Sequence, residues 1–226
     1  MIYKGNDFMA KVRSIMKLSG TVGEMTFVDS TAYGQHSRAK RGSKTPITLA
    51  EGMKVSSSNQ NEANLRAKIV FDAVNKFAPG FKEGTFWSRL VSIFRKQKKA
   101  GNPYNYANFG EMEMRYDYST SQLGNFTLSR EDSVIVLNYK LKADTGYRLS
   151  MLRISTDETL LISYPDEVME TQVEVGEQVG IVDFDFTPLP KGTPVLYALQ
   201  CEQLKDGKLA GVLKGKSVRF FGGYGS

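Results

Sequence analysis

Side chains able to carry catalysis are few in this 226-residue sequence. His36 is the single histidine, and it lies in a basic stretch without an acidic neighbour in sequence to orient its ring. Cys201 is the single cysteine, and it alternates with Tyr197 and Leu199 in a strand-like segment. These patterns predict a solvated histidine and a buried structural thiol rather than a nucleophile with its base. One cysteine also excludes an internal disulfide and a thiolate metal cluster within one chain.

Two aspartates, Asp183 and Asp185, project from the same face of one predicted strand, as a glycosidase or cation site requires. Phe184 and Phe186 point to the opposite face, so the segment also fits the inside and outside alternation of a half-solvated strand, and we favour that interpretation. No GxxxxGK[ST] or GxGxxG phosphate-binding loop occurs. The sequence therefore predicts no catalytic residue, no metal site, no cofactor and no enzymatic activity.

The distribution of Lys and Arg along the chain is more informative than these potential catalytic groups. Residues 1–115 contain 19 Lys and Arg against 9 Asp and Glu, whereas residues 116–226 contain 11 against 15. A basic half predicts an anionic partner, either nucleic acid or an acidic protein surface, and the acidic half supplies such a surface on another copy. The predicted partner-binding arm consists of Arg38, Lys40, Arg41 and Lys44. Further contacts to phosphate or to an acidic partner are predicted at Lys96, Lys98 and Lys99.

The arm extends from a predicted β-hairpin within residues 18–46. Val22, Phe27 and Val28 belong to its first strand, and the second strand returns through Tyr33 into the basic arm. A two-stranded hairpin is marginally stable in water, so it must pack against something else. Phe27 and Tyr33 are the predicted packing anchors.

Two amphipathic helices are predicted after the hairpin. A capping box at residues 59–62 opens the first helix, after a linker-like segment at residues 45–58, and Pro79-Gly80 ends it. The second helix begins near Thr85, places Trp87 on its apolar face as a further anchor, and carries the lysines in its last turn, where cations suit the helix dipole. The helices are expected to form an antiparallel hairpin.

A period of two replaces the helical period after residue 116. Strands are predicted at residues 133–141, 147–154, 159–164, 171–175, 178–187, 194–203, 209–213 and 217–221. This spacing is typical of an immunoglobulin-like antiparallel β-sandwich, without the cysteines of antibody domains. We therefore expect an α+β protein with a basic hairpin, arm and two-helix module at 1–115 and the β-sandwich at 116–226.

The order of these segments carries a resemblance. A turn and strand at residues 19–23 precede a hairpin that ends in Arg38 and Pro46, then a helix with Arg66-Ala67-Lys68, then a Lys-rich segment leading to Asn105-Tyr106. This layout resembles an uncharacterised family of small basic proteins, common in Bacteroidetes genomes and their phages, in which such a module precedes a β-sandwich. The matching residues lie within 18–110, and the chain departs from the family at residues 1–17 and in its Ser/Asn-rich insert. The resemblance implies architecture and hosts, but no chemistry.

The sequence as a whole favours a non-enzymatic structural protein of a repetitive assembly, a phage virion component such as a capsid, neck or tail subunit. Its expected partners are other copies of itself and other structural proteins, in the host cytoplasm during assembly and then in the virion. No signal-peptide core occurs and no apolar run approaches the ~18 residues of a membrane span, so no membrane partner is expected, and no small-molecule substrate is identified.

Two alternatives stay open. A nucleic-acid-binding accessory protein would use the same cations, with Tyr104 and Tyr106 stacking on bases. An enzyme or a carbohydrate-binding module on the sandwich rests on fold analogy alone.

Overall fold

The computed structural model describes residues 10–11, 19–30, 34–40, 50–131, 134–205, 207–209 and 213–223. The chain divides into two compact units, Met1–Glu51 and Gly52–Ser226. The predicted domain boundary between residues 115 and 116 falls inside the second unit. The reason is that the two helices share a buried core with the strands that follow them.

The first unit contains one antiparallel sheet in its described residues, with strand order β1-β4-β3-β2. Its strands are β1 (Ala10–Lys11), β2 (Gly20–Val22), β3 (Met25–Ser30) and β4 (Gly34–Ala39). The predicted hairpin is the pair β3 and β4. Its predicted first strand is divided by a tight turn in which Gly23 has φ +57°, a value that glycine adopts at little cost. Residues before this turn form the separate strand β2, paired with β3.

Two long helices open the second unit. The helices of the described residues are α1 (Glu51–Phe77), α2 (Phe86–Lys99) and the short α3 (Thr120–Leu123). Phe71 of α1 meets Trp87 at the start of α2, with ring centroids 5.3 Å apart, and Glu62 meets Lys98 near its end. The two helices therefore run in opposite directions and form the predicted antiparallel pair.

The predicted start of the first helix is wrong by eight residues. Helix α1 begins at Glu51, so residues 51–58 of the predicted linker-like segment are helical and Asn59 lies in the helix interior. Backbone N–H groups at residues 59–62 already have partners in the preceding turns and need no capping side chain. The Gln60 amide instead donates to Asn64 Oδ1 at 2.8 Å, an i to i+4 contact that supports the helix.

Antiparallel strands follow the helices. They are β5 (Gly124–Glu131), β6 (Val134–Leu141), β7 (Tyr147–Ser155), β8 (Glu167–Val173), β9 (Val179–Asp185), β10 (Val195–Lys205), β11 (Lys208–Leu209) and β12 (Lys216–Phe221). One sheet has the order β5-β6-β9. The other has the order β8-β7-β10-β12, with β11 also paired to β10. Helices and antiparallel sheets together confirm the predicted α+β class.

Strands β7 and β10 are buried on both faces, which places their sheet in the middle of the unit. On one face the side chains that pack with α1 and α2 are Leu152, Ile154, Leu196, Ala198, Val218 and Phe220. On the other face the side chains that pack with the three-stranded sheet are Leu149, Met151, Tyr197, Leu199 and Cys201. The helices therefore need the sheet to bury their apolar stripes, and the two form one unit.

Three strand predictions need correction. Residues 159–164 form a loop, because the Asp157 carboxylate accepts the backbone N–H groups of Leu161 and Ile162 at 2.9 and 2.8 Å, and side-chain bonds of this kind compete with a strand ladder. The strand predicted at 171–175 is the end of the longer β8. Of the strand predicted at 209–213, Leu209 lies in the two-residue strand β11 and Leu213 begins a 3-10 turn, whereas residues 210–212 lie outside the described residues. Strand β5 was not predicted.

Candidate functional site

A groove of about 590 Å³ lies between the first turns of α1 and the length of α2. We call it the helix groove. Space for it comes from small side chains on the facing stripes of the helices, namely Gly52, Ser56, Ser88 and Ser92. A Cβ atom added at Gly52 would meet no atom within 4 Å, so the groove is open beside the first turn of α1. The stripes recur at every third or fourth residue, which keeps them on one helix face.

Cations line one end of the helix groove. Arg95, Lys96 and Lys99 border it, and all three side chains are exposed. No carboxylate of the described residues forms an ion pair with any of them, and the lining residues include no Asp or Glu. Cations in the last turn of a helix lie near the negative end of its dipole, so their placement stabilises α2 while the charges stay available to a partner.

The other end of the groove is apolar. Trp87 lies there with 37% of its surface exposed, and one edge of its indole packs against Phe71. Val91 adds a buried apolar side chain beside it. Val55 of α1, 52% exposed, also lines the groove but lies towards its cationic end, because the helices are antiparallel and Glu62 already faces Lys98. Trp87 therefore contacts Phe71 of α1 and remains partly exposed to the groove.

Lys98 points away from these cations. Its Nζ donates to Glu62 Oε2 at 3.2 Å, and the hydroxyl of Tyr104 donates to the same oxygen at 3.0 Å. These hydrogen bonds hold the pKa of Glu62 below its ordinary value. The Arg66 guanidinium stacks on Tyr104 with its carbon 3.7 Å from the ring centroid. Of the three predicted lysines, Lys96 and Lys99 line the groove, whereas Lys98 fastens α2 to α1.

Two polar side chains, the buried Gln97 and the half-buried Arg89, hold α2 in position. The Gln97 amide donates to the Asn105 carbonyl at 2.9 Å and accepts the Asn105 N–H at 3.3 Å. The Arg89 guanidinium donates to the carbonyls of Glu113 and Met114, at 2.6 and 2.8 Å, and pairs with Glu83 at 2.7 Å. Both ends of the helix are therefore bonded to the segment that leads into the strands. Sequence reasoning missed these residues, because polar positions on an amphipathic helix ordinarily indicate solvent.

The arm residues belong to the first unit. Arg38 is half-buried on β4, and Lys40 is exposed just beyond that strand, where its backbone N–H donates to the Glu24 carbonyl at 2.6 Å. Phe27 is half-buried on β3. Arg41, Lys44 and Tyr33 lie outside the described residues.

The residues weighed for catalysis have ordinary structural environments. Cys201 is fully buried between the two sheets, and burial raises the pKa of its thiol well above the ordinary value. The ring Nδ1 of His36 lies 3.1 Å from the carbonyl oxygen of Gly34. Asp183 and Asp185 are exposed on β9, and Phe184 is buried beneath them, as the alternation predicted. Within the described residues, no three His, Cys, Asp or Glu side chains converge as a metal site would require.

The helix groove presents three cations at one end. Among the described residues that form it, no carboxylate, imidazole or thiol is present to act as a general base or a nucleophile. Arg95 and the α1 side of the groove were not predicted as site residues. The available signal for the α2 side was the stripe of small and basic side chains at residues 88, 92, 95, 96 and 99. The α1 side gave no signal, because the predicted helix began at residue 59 and so left out Gly52, Val55 and Ser56.

No protein-family model matches this sequence. No curated protein matches it either. Among solved structures, the chain is similar to the E. coli curli protein CsgC, with 6% identity over 37% of this chain and 88% of that chain, at a TM-score of 0.20. A likeness of that size carries no argument about fold or function. None of the helices in the described part of the chain has the length and apolarity to cross a bilayer.

Proposed function

We propose that this chain is a non-enzymatic assembly subunit that binds an acidic protein surface in its helix groove. The proposal extends to the assembly itself, a phage virion formed in the host cytoplasm, with the chain in its capsid, neck or tail. The virion assignment is supported by the resemblance of the N-terminal layout to small basic proteins of Bacteroidetes and their phages. The binding mode is supported by the groove.

The observation that carries the proposal is the arrangement of Arg95, Lys96 and Lys99 beside the exposed indole of Trp87. Three cations without a carboxylate partner in the described chain form a positive surface that an acidic partner neutralises. Tryptophan and arginine are among the residue types enriched at protein interfaces, and Trp87 and Arg95 lie together in this groove. The arm residues Arg38 and Lys40 belong to the first unit and would bind an acidic partner independently of the groove.

A nucleic-acid-binding role is the second candidate, and Trp87 is the observation that favours it. An indole beside cations can stack on an unpaired base while the cations meet phosphates. Three phosphate contacts on a single strand would give a slope of only about −2 in log affinity against log salt. Exposed Val55 in the same groove favours a protein partner, because phosphate and sugar offer little for it to contact.

Trp87 also provides the test, because it is the only tryptophan in the chain and reports on the groove alone. We would titrate the full-length protein with poly-L-glutamate, with single-stranded DNA and with duplex DNA, following tryptophan emission at several salt concentrations. The groove variant is Arg95→Gln/Lys99→Gln. The charge-matched control is Lys191→Gln/Lys214→Gln, which removes two exposed cations elsewhere.

We expect saturable changes in Trp87 emission with poly-L-glutamate for the wild type and the control, and a loss of at least tenfold in affinity for the groove variant. Tighter binding of DNA than of poly-L-glutamate, lost in the same variant, would replace the assembly role with the nucleic-acid role. Equal binding by wild type and groove variant would remove the groove from either function.

We further infer that β5–β12 form an immunoglobulin-like sandwich, which would serve as the rigid body of the subunit. Strand order supports this. If β5, β6, β7, β8, β9, β10 and β12 take the letters A to G, the chain pairs A-B-E in one sheet and C-F-G in the other. The fourth strand lies beside C rather than beside E, so it joins the second sheet.

A further inference from the structure

Strand β9 has an exposed side that nothing in the described residues covers. It lies at the end of the sheet β5-β6-β9 and pairs only with β6 among the described strands. Its outward side chains are Val179 and Ile181, at 70% and 66% exposure, followed by Asp183 and Asp185. No ion pair joins either aspartate to a described residue. Edge strands with bare apolar side chains ordinarily need a cover.

The order of side chains along β9 matches the order along the helix groove. On its α2 side, the groove passes from Trp87 and Val91 to Arg95 and Lys99, that is, from apolar to cationic. Strand β9 passes from apolar to acidic over its seven residues. Twelve residues of helix rise about 18 Å, and six steps of strand rise about 20 Å. The α2 side of the groove and strand β9 therefore have similar lengths. Each has an apolar half, and their other halves carry opposite charges.

We propose that the helix groove of one copy of this chain holds β9 of a second copy. This deepens the proposed function and rests on it, because it names the acidic surface that the groove binds. Val179 and Ile181 pack on Trp87 and Val91, and the two aspartates meet the cations at the end of α2. In this alignment, apolar side chains face apolar side chains and carboxylates face cations, as a specific contact requires.

The contact has a direction. The groove and β9 are different surfaces, so the association is heterologous rather than a two-fold symmetric dimer. A pair of copies retains one open groove and one open β9, and each end can add a further copy. Such a contact produces a ring when its rotation closes and a filament when it does not. Either product is the repetitive assembly that the proposed function requires.

Charge reversal on each side tests the contact. The groove-reversed protein is Arg95→Glu/Lys99→Glu, and the strand-reversed protein is Asp183→Lys/Asp185→Lys. The control for the strand is Asp72→Asn/Glu158→Gln, two acidic residues elsewhere, of which Asp72 pairs with Lys68 on the surface of α1. Sedimentation velocity over a range of protein concentrations at about 50 mM salt measures association of each protein and of an equimolar mixture, where screening is weak.

We expect the wild type and the control to associate, and each reversed protein alone to associate at least tenfold more weakly. The mixture should recover association, because each reversed surface meets its reversed counterpart and each unchanged surface meets its unchanged one. Recovery also shows that both variants are folded, and a change in Trp87 emission should accompany it.

Other results separate this inference from the proposed function. Loss of association on groove reversal but not on strand reversal overturns the role of β9 and leaves the groove as the binding site. A mixture that does not recover association also overturns the pairing. If the wild type stays monomeric, the pairing of groove and β9 is overturned too. The poly-L-glutamate titration is then the remaining test of the proposed function. Association unaffected by groove reversal also overturns the pairing, and the poly-L-glutamate titration then tests the proposed function separately.

Discussion

The Glu113 carboxylate accepts two hydrogen bonds from a single residue, Thr120, one from its backbone N–H at 3.1 Å and one from its hydroxyl at 2.9 Å. Glu113 is buried, and its backbone bridges to Arg219 of β12. This contact joins the segment after α2 to the start of α3 and to the central sheet. Burial raises the pKa of Glu113 to about 7, because desolvation of the charged form outweighs the hydrogen bonds and the nearby arginines.

Stability should therefore fall as pH rises from about 4.5 to about 7, since Glu113 holds its proton in the folded state over a range where the unfolded chain has released it. Above about pH 7 Glu113 is ionised in both the folded and the unfolded state, so its titration lowers stability no further. Glu113→Gln copies the protonated form, so it should remove this pH dependence and raise the free energy of unfolding at pH 8 by on the order of 2 kcal/mol. Urea unfolding at pH 5, 6, 7 and 8 measures it. A variant that is less stable than wild type at pH 8 would contradict the assignment.

Asp157 should give the opposite pH dependence. Hydrogen bonds from the Thr159 hydroxyl and from backbone N–H groups lower the pKa of Asp157 to about 2. Its stabilising contribution is present above the ordinary value of 3.8 and is lost as pH falls towards 2. Asp157→Asn should weaken the loop at residues 157–162 and flatten the acid side of the stability curve. Hydrogen exchange at the amides of Leu161 and Ile162 should become faster at pH 6, whereas unchanged exchange would contradict the role.

Gln97 should contribute to stability although it lies on a helix rich in lysine. Gln97→Leu removes both bonds to Asn105 and leaves two backbone groups without their partner, which should cost about 1–3 kcal/mol. Gln122→Leu is the matched control, because Gln122 is exposed, and it should stay within about 0.5 kcal/mol of wild type. Urea denaturation of the two variants provides the comparison. Equal midpoints would show that the Gln97 bonds add nothing.

Gly222 should not tolerate a side chain. A Cβ atom there would lie 1.9 Å from the Tyr106 carbonyl oxygen, and backbone cannot move aside as a side chain can. Gly222→Ala should destabilise the second unit by about 1–3 kcal/mol. Gly84→Ala is the control, since a Cβ atom at Gly84 meets nothing within 4 Å. Thermal unfolding of both variants measures the difference, and similar melting temperatures would contradict the close contact.

Local patterns predicted much of the secondary structure. The alternation in β9, the burial of Cys201 and the existence of two amphipathic helices followed from periods of 2 and 3.6 residues, which depend on backbone geometry alone. The start of α1 was missed because capping residues are signals only where no earlier turn supplies the hydrogen-bond partners. The strand predicted at 159–164 failed because a single side chain, Asp157, took the backbone N–H groups that a ladder would use.

By itself, the sequence determined the α+β class, the concentration of cations in the N-terminal half and the division of β9 into an apolar and an acidic half. Each of these depends on composition or on the period of neighbouring residues. Only the tertiary structure decided that α1 and α2 belong to the unit of the sheets, that Lys98 pairs with Glu62, and that Lys96 and Lys99 border a groove with Trp87. Those outcomes depend on which residues distant in the chain meet when the apolar stripes are buried, and no local pattern specifies that meeting.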